Sequence, residues 1–494
     1  MLFILIAVVS ILILSYLINQ IRKPKNLPPG PPWWPFVGNL PELKKLSKAL
    51  GGQHLALSEL SKRYKTNILG LKLGDEYVVT VFSYPIVRDV LIREEFEGRP
   101  DNFFLRLRCM GKKRGVTCTD GELWHIQRNF VNRHLRNLGF GKKPMEEMIR
   151  DEVVEMLSTL KEDGSNVQVD KFIAPAVLNV LWTLATGARI SRKNNQLNEL
   201  LDLFSVRSKA FDMTGGTLTQ YPWLRFIAPE WCGYNLIQEI NKKLKNFFVK
   251  TIEEHQEMWQ EGRNDDLIYR YISEIKTPNK NSEVFNDDQL IMLCLDLFIA
   301  GTQTTSGTLD FGFLLMILHP DIQKKVQAQL DATFDKDHVL DYSDRHKLPY
   351  VEAVILEILR FRHVTPIAGP RRVMKDTYLD GYFLPKDTTI LFSFYSINTS
   401  TVYWKDPEIF MPERFLDENG LLLPHEKVIP FGLGRRRCLG EVLAKTCIFF
   451  FFTEILRKFD VSLAPGSKLP STKPVPGITL SAERYWAKFT ERSL

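Results

Sequence analysis

The chain has 494 residues, 44% of them hydrophobic and 25% charged, a globular composition with apolar side chains enough for a large core. A formal net charge of +7 is modest for this length, and no Lys/Arg tract interleaved with aromatics occurs, so nucleic acid is not an expected partner. Six cysteines, none in a C-x-x-C pair, argue against a zinc ribbon, a thioredoxin-like motif and a secreted disulfide scaffold.

The first element is Leu2–Ile18, apolar apart from Ser10, Ser15 and the Tyr16 hydroxyl, at the short end of membrane-span length. Arg22, Lys23 and Lys25 follow it and no basic residue precedes it, which predicts an uncleaved anchor with the body on the cytosolic side. A cleaved signal peptide would need a basic start and a small-x-small cleavage site, and neither is present. Next, prolines at 28, 29, 31, 32 and 35 fix φ and remove donors, so Lys25–Leu40 reads as a stiff extended connector.

From about residue 41 the pattern is mainly α with small β-sheets. Segments 68–83 and 378–394 and the last thirty residues read as strands. Leu290–Leu318, Tyr350–Arg360 and Glu441–Phe459 read as long helices, the first with Gly301 and Thr304 inside it and with Cys294 as a small buried residue. The stretch 218–235, with two tryptophans and few charges, suits either burial or contact with a lipid interface. No G-x-G-x-x-G turn or phosphate loop is present, so a redox reaction would draw its electrons from outside the chain.

The segment "PFGLGRRRCLG" (430–440) carries the most chemistry. Gly432, Gly434 and Gly440 allow close approach of a bulky group or positive φ. The helical pattern begins at Cys438, and a cysteine at a helix N-terminus beside arginines is a stabilised thiolate. Such a thiolate suits an iron ligand. From the residues alone a nucleophile, half of a disulfide or an inert buried cysteine also remain open.

"FGLGRRRCLG" resembles the haem-ligand signature of the cytochrome P450 superfamily at Phe431, Gly434, Arg436, Cys438 and Gly440, with Ala444 continuing it. Other family motifs occur in order. Trp124 and Arg128 of "WHIQR" resemble the W-x-x-x-R pair; "AGTQTT" (300–305) resembles the oxygen-binding bend. Glu357 and Arg360 of "EILR", with Arg414, resemble the structural Glu-Arg-Arg network, and "PPGPP" the hinge of microsomal members. The resemblance covers essentially the whole chain. It replaces the roughly two to four domains that length suggests with a transmembrane signal anchor (1–21), a basic, proline-rich hinge (22–40) and one haem-thiolate monooxygenase domain (41–494).

The resemblance implies haem b with Cys438 as axial thiolate, and Arg128, Arg436, Arg371 and Trp124 on the haem propionates. It implies Thr304, Ala300 and Gly301 at the oxygen site. Position 303, commonly acidic in the family, is Gln303 here; an amide can orient a water but does not readily exchange a proton. Electrons are expected from NADPH through a membrane-bound reductase at the endoplasmic reticulum. Lys112, Lys113, Arg133, Arg136, Lys142, Lys143 and Arg435 are candidates for its docking face. A small lipophilic substrate is expected among Phe103, Phe104, Leu107, Phe298, Ala300, Pro366, Ile367, Ala368 and Ile478. The texture resembles insect microsomal enzymes near the juvenile hormone-forming epoxidases of methyl farnesoate. Hydroxylation of steroids, xenobiotics or aromatic amino-acid-derived compounds is the alternative reaction, and a haem protein that oxygenates nothing the alternative class.

Overall fold

A computed structural model of the chain describes residues 2–192, 194–210, 213, 216–277 and 282–493. The opening apolar run forms the helix Leu2–Ile21. Within it, Phe3–Ile21 has a mean hydropathy of 2.4 and none of it is buried. Val169–Thr186 and Asp287–Leu318 are also long and apolar enough to cross a membrane, yet 72% and 61% of their apolar windows lie inside the protein. They are core helices.

Asp287–Leu318 is the axis of the body. Asn286 caps it by accepting from the Gln289 N–H at 3.0 Å, and Asp287 and Asp288 in its first turn suit the positive end of the helix dipole. Its buried positions are not confined to one stripe, the pattern of a helix surrounded by protein. Val169–Thr186, Glu441–Lys458, Tyr234–Glu257 and Pro349–Phe361 pack against it. Glu441–Lys458 contributes four successive buried phenylalanines, Phe449 to Phe452. The helices expected around 290–318, 350–360 and 441–459 are all present.

The strands expected near 68–83 and 378–394 are also present. Ile68–Leu73 and Glu76–Val81 form a hairpin; Thr389–Ser393 runs parallel to the second strand, and Ile367–Arg372 pairs antiparallel to Thr389–Ser393. The last pairing slips between Ala368 and Arg371. Pro370 there has no N–H to give the ladder, and the resulting bulge re-aims Arg371. Val167–Gln168, Trp486–Glu491 and Phe459–Leu463 make a second sheet.

The proline-rich stretch is more than a connector. Gly70 N–H donates to the Pro29 carbonyl at 2.8 Å, and Asn39 pairs with Lys72 in both directions, at 2.6 and 3.0 Å. A Cβ on Gly30 would stand 2.1 Å from the Gly70 carbonyl oxygen. Prolines without N–H groups still offer carbonyls, and here those carbonyls strap the segment to the sheet edge. The 218–235 stretch divides. Leu218 and Thr219 are buried, while Phe226, Ile227 and Trp231 are each at least 72% exposed.

Candidate active site

The helix expected from Cys438 begins three residues later, at Glu441, with Gly440 as its N-cap. Cys438 therefore sits in the loop ahead of the helix. The loop turns back on itself through Gly432 and Gly434, whose φ values are +69° and +72°. Cys438 N–H donates to the Phe431 carbonyl at 2.8 Å and closes it. Gly434 has a second constraint, because a Cβ there would lie 2.3 Å from the Leu91 carbonyl oxygen. Gly440 differs: a Cβ on it would meet nothing within 4 Å, so contacts within the protein do not demand its small size.

The Cys438 side chain is exposed, and the surface it exposes lines an internal cavity of about 320 Å³. Burial raises its thiol above the ordinary range, and Glu441 adds to the rise; the Gly440 backbone N–H and Arg128 oppose it. The arginines alone therefore do not produce the stabilised thiolate that the sequence suggests, because desolvation outweighs one cation. Bonding to a metal ion would hold the sulfur deprotonated in this setting.

Ala300, Gly301, Thr304, Thr305 and Thr308 of the central helix line the same cavity as Cys438, Phe431 and Gly440. Thr304 Oγ1 donates to the Ala300 carbonyl at 2.7 Å and Thr308 Oγ1 to that of Thr304 at 2.8 Å. These bonds use the hydroxyl protons and leave lone pairs for a further donor. Gln303 is elsewhere: it lines a separate cleft with Thr302, Ser306 and Asp310. One helical residue turns the side chain by about 100°, which carries position 303 off the cavity wall.

Trp124, Arg128, Arg99 and Arg436 also line the cavity. Arg436 stacks over Trp124 at 3.8 Å and Arg128 approaches the same ring at 5.5 Å. Arg128 also donates to the Arg437 carbonyl at 2.7 Å. Arg436 Nε and Nη1 are buried and have no hydrogen-bond partner among the described residues. Burial, then Arg99 and Arg371, push the Arg436 guanidinium down to about 8, and burial, then Arg99, push Arg371 to about 9. Among the described residues none of Arg99, Arg128, Arg371 and Arg436 has a carboxylate in ion-pair range, whereas Arg372 has Asp120 at 2.9 Å and Asp387 at 2.6 Å. Guanidinium groups stay charged at neutral pH. Three of these four line the cavity, two of them against Trp124, while Arg371 lies outside its lining beside Phe392; such an uncompensated set calls for an anion with more than one carboxylate, as the two propionates of haem supply. The residues fit that group.

Arg99 is the member that sequence motifs missed. It lies in "EGRPDN", a loop without periodicity, and the bulge holds it: its Nη1 donates to the Gly369 and Pro370 carbonyls at 3.2 and 2.7 Å. Behind the thiol loop, Glu357 is fully buried and takes bidentate bonds of 2.7 Å from Arg360 and one of 3.1 Å from Arg414. Arg360 passes on to the carbonyls of Asn398 and Pro407, and Arg414 to those of Lys405, Asp406 and Ile409.

The expected substrate residues scatter. Of them only Ala300 lines the cavity. Phe298 is a core residue in tilted ring contact with Trp182 and Phe248 at 5.5 and 5.3 Å. Phe103, Phe104, Leu107 and Ile478 form a small apolar cluster with Leu218 and Ile237, while Ala368 packs on the sheet core. Pro366, Ile367 and Ile478 line a more open groove of about 670 Å³ beside Trp231 and Cys232. The basic docking candidates also divide. Lys113 is paired with Asp120, Lys143 with Asp341 and Arg435 with Glu94; Lys112, Arg133, Arg136 and Lys142 are exposed without an ion pair among the described residues.

A helical body with small sheets, a lone cysteine in a glycine loop, and arginines awaiting an anion across from a threonine-bearing helix define a haem-thiolate type of site. The chain belongs to the cytochrome P450 family, whose model matches residues 28–489. It is 44% identical to "Probable cytochrome P450 305a1" of Drosophila melanogaster, over 97% of this chain and 96% of that one. It is 37% identical to "Farnesoate epoxidase" of Bombyx mori, over 98% of each, and 34% identical to "Cytochrome P450 2J2" of Homo sapiens, over 93% and 90%. Members of this family are monooxygenases that use haem iron, with electrons from NADPH through a reductase. The class of haem protein that oxygenates nothing is thereby set aside.

Proposed function

We propose that this chain is a membrane-anchored monooxygenase that epoxidises an isoprenoid ester, methyl farnesoate or a close analogue, as a step of juvenile hormone biosynthesis. The observation that carries the chemistry is the shared cavity, with the Cys438 thiol on one wall, Thr304 on the opposite helix and unpaired arginines at one end. The substrate class rests on the farnesoate epoxidase relative and on the apolar lining that Leu181, Leu184, Leu297 and Val364 give the cavity.

Bound haem supplies activated oxygen, helped by electron density from a thiolate ligand. Cys438 would be its ligand, held in its loop by the Phe431 carbonyl and by the close approach of Gly434 to Leu91. Arg99, Arg128, Arg371 and Arg436 would neutralise its propionates, with Arg128 and Arg436 both held against the Trp124 ring. Ala300 would leave room at the oxygen site, Gly301 makes way for Leu181, whose side chain a Cβ there would meet at 2.7 Å, and Thr304 would accept and pass a proton there. Glu357, Arg360 and Arg414 tie the helix at 349–361 to the segment before the thiol loop.

The segment 1–21, helical over Leu2–Ile21, anchors the body (41–494) in the endoplasmic reticulum membrane, with the catalytic side cytosolic. The strap at 22–40 fixes its angle. The exposed Trp223, Phe226, Ile227 and Trp231 form a second lipid contact; Tyr221 from that region reaches the Phe36 carbonyl of the strap at 3.4 Å, which places both on one side. Lys112, Arg133, Arg136 and Lys142, exposed and without an ion pair among the described residues, meet the acidic face of the membrane-bound reductase.

The test is turnover of methyl farnesoate by the full chain with NADPH, a reductase and isotopically labelled O2. The expected product is an epoxide with one labelled oxygen per NADPH consumed. Label in an alcohol, or no product beside active turnover of a steroid or xenobiotic, overturns the substrate assignment.

A further inference from the structure

The short helix Phe103–Arg108 ends at Cys109, and the chain from there to Asp120 has no helix or strand. Met110 and Gly111, at φ +58° and +96°, turn it back, and the Gly111 N–H donates to the Arg106 carbonyl at 2.7 Å. The loop then lies on the central helix. Gly115 N–H donates to the Gln289 side chain at 2.9 Å, and the Val116 and Thr117 N–H groups both donate to Asp296 at 2.8 Å. A Cβ on Gly115 would stand 2.3 Å from the Asp296 carboxylate, so this approach needs glycine. Val116 and Thr117 are part of the wall of the cavity that holds Cys438.

Two thiols meet where the loop closes. Cys109 and Cys118 are 0% and 2% exposed, belong to one apolar cluster and hydrogen-bond each other through their side chains. Neither is in a disulfide. The turn at 110–111 and the bond of 2.7 Å from the Thr119 hydroxyl to the Gly115 carbonyl bring the two ends together. Cys109 is the fixed end. Asn241 donates to the Leu107 carbonyl at 2.8 Å and Arg207 to the Arg108 carbonyl at 3.0 Å, which ties the helix before it to two others. Cys118 is the end that travels with the cavity wall. No group of three His, Cys, Asp or Glu side chains able to hold a metal occurs among the described residues, so the pairing is one of thiol with thiol.

The pair differs from the other cysteines of the core. Burial pushes the Cys447 thiol up, and burial with Asp266 pushes Cys294 up to about 12; thiols held so are inert. At Cys118 the hydrogen bond from Cys109 acts first and pulls the thiol down, with Arg108 and Arg99 on the same side, against burial and Asp296. Cys109 is pushed up by the same bond and then by burial. One sulfur is therefore readied to attack, with a protonated partner in contact, the arrangement of an attacking and a resolving cysteine. In a reducing compartment such a pair rests as the dithiol and is oxidised only on demand.

We propose that Cys109 and Cys118 are a redox modification site: hydrogen peroxide converts them to a disulfide that latches the 109–120 loop, and with it the Val116–Thr117 part of the cavity wall, onto the central helix. The oxidant enters when the loop lifts, which requires only that the three amides give up Gln289 and Asp296. The Cys118 thiolate attacks the peroxide; an S–O bond forms, the O–O bond breaks, and the departing oxygen takes up a proton and leaves as water. The sulfur is oxidised to a sulfenic acid. Cys109 then attacks that sulfur; the S–S bond forms, the S–O bond breaks, and the hydroxyl leaves as water with the Cys109 proton. Two thiols and one peroxide thus give one disulfide and two waters. The bond joins the moving end of the loop to its fixed end. None of this depends on the choice of substrate.

The experiment treats the full-length holoenzyme with hydrogen peroxide in amounts that leave its haem spectrum intact, blocks free thiols with N-ethylmaleimide, and maps the digest by mass spectrometry. Wild type is compared with Cys118→Ala, Cys109→Ala and Cys294→Ala. A peptide linked between Cys109 and Cys118 is expected in wild type and in Cys294→Ala, removed by dithiothreitol and absent from the other two. Amide hydrogen exchange at Gly115, Val116 and Thr117, whose bonds to the central helix report lifting of the loop, slows at least about tenfold on oxidation. Entry of phenylimidazole into the thiol cavity slows in the same proportion, and dithiothreitol restores both rates. Peroxide changes neither rate in Cys118→Ala. The link is read in wild type, so the proposal does not hang on how a variant folds. Two unmodified thiols after treatment, or Cys118 carried to a sulfinic acid without the link, overturns the site. A link that leaves exchange and entry unchanged overturns the latch.

Discussion

Arg436 sits among Arg99 and Arg371 with two unbonded nitrogens. Like charges brought together in a buried place destabilise the protein unless an anion joins them, so the arginine set does its work only with the cofactor bound. A charge-assisted bond contributes about 1.5–3 kcal/mol, and 1.4 kcal/mol is tenfold in an equilibrium constant. Arg436→Ala is therefore expected to lower haem affinity roughly ten- to a hundredfold while the haem-free protein melts no lower than wild type. Haem titration of the two proteins and their melting curves check both parts. The same logic distinguishes Arg371 from its neighbour: Arg372 has two carboxylates and Arg371 has none.

At the scale of elements, the thiol loop depends on parts distant in sequence. The helix 349–361 presents Glu357 and Arg360 three residues apart, on one face, and Arg414 arrives from the short turn at 412–415. All five bonds from the two arginines to backbone carbonyls noted above hold the 398–409 segment ahead of the loop. Glu357→Ala leaves two buried guanidinium groups without their anion, a loss of about 3–5 kcal/mol. The expected result is a sharply lower melting temperature and little soluble haem-loaded protein; a melt within a degree or two of wild type, on the scale of about 2–4 °C per kcal/mol for larger domains, would show the network to be dispensable. The helix 287–318 works differently. One face lines the thiol cavity and another the cleft at Gln303 and Asp310, and a single residue step decides which face a side chain joins.

For the whole molecule, the helix at 2–21 and the aromatic edge at 223–231 both meet the strap at 22–40, through the Tyr16 ring on Phe36 and through the Tyr221 hydroxyl on the Phe36 carbonyl, and both expose apolar side chains. Much of this was legible in the chain itself. The thiol loop was legible because its glycines and cysteine are contiguous, and the long helices because their apolar positions are uninterrupted. Arg99 was not, since only the bulge at 368–371, a product of sheet pairing, holds it in place. Phe298 and Gln303 were misplaced for a shared reason: a motif fixes a residue's turn of helix, while the packing of Trp182, Phe248 and the 169–186 helix fixes which way the turn faces. The strap reads in sequence as a stiff extended connector, and its ties to the sheet edge escape that reading because proline carbonyls leave no trace in hydropathy. The central claim, that Cys438 holds the haem iron, is tested most directly by the carbon monoxide difference spectrum of the reduced full chain. The band of a thiolate-ligated haem is expected in wild type, Cys447→Ser and Cys294→Ser, and its loss in Cys438→Ser. Survival of that band in Cys438→Ser would contradict the account.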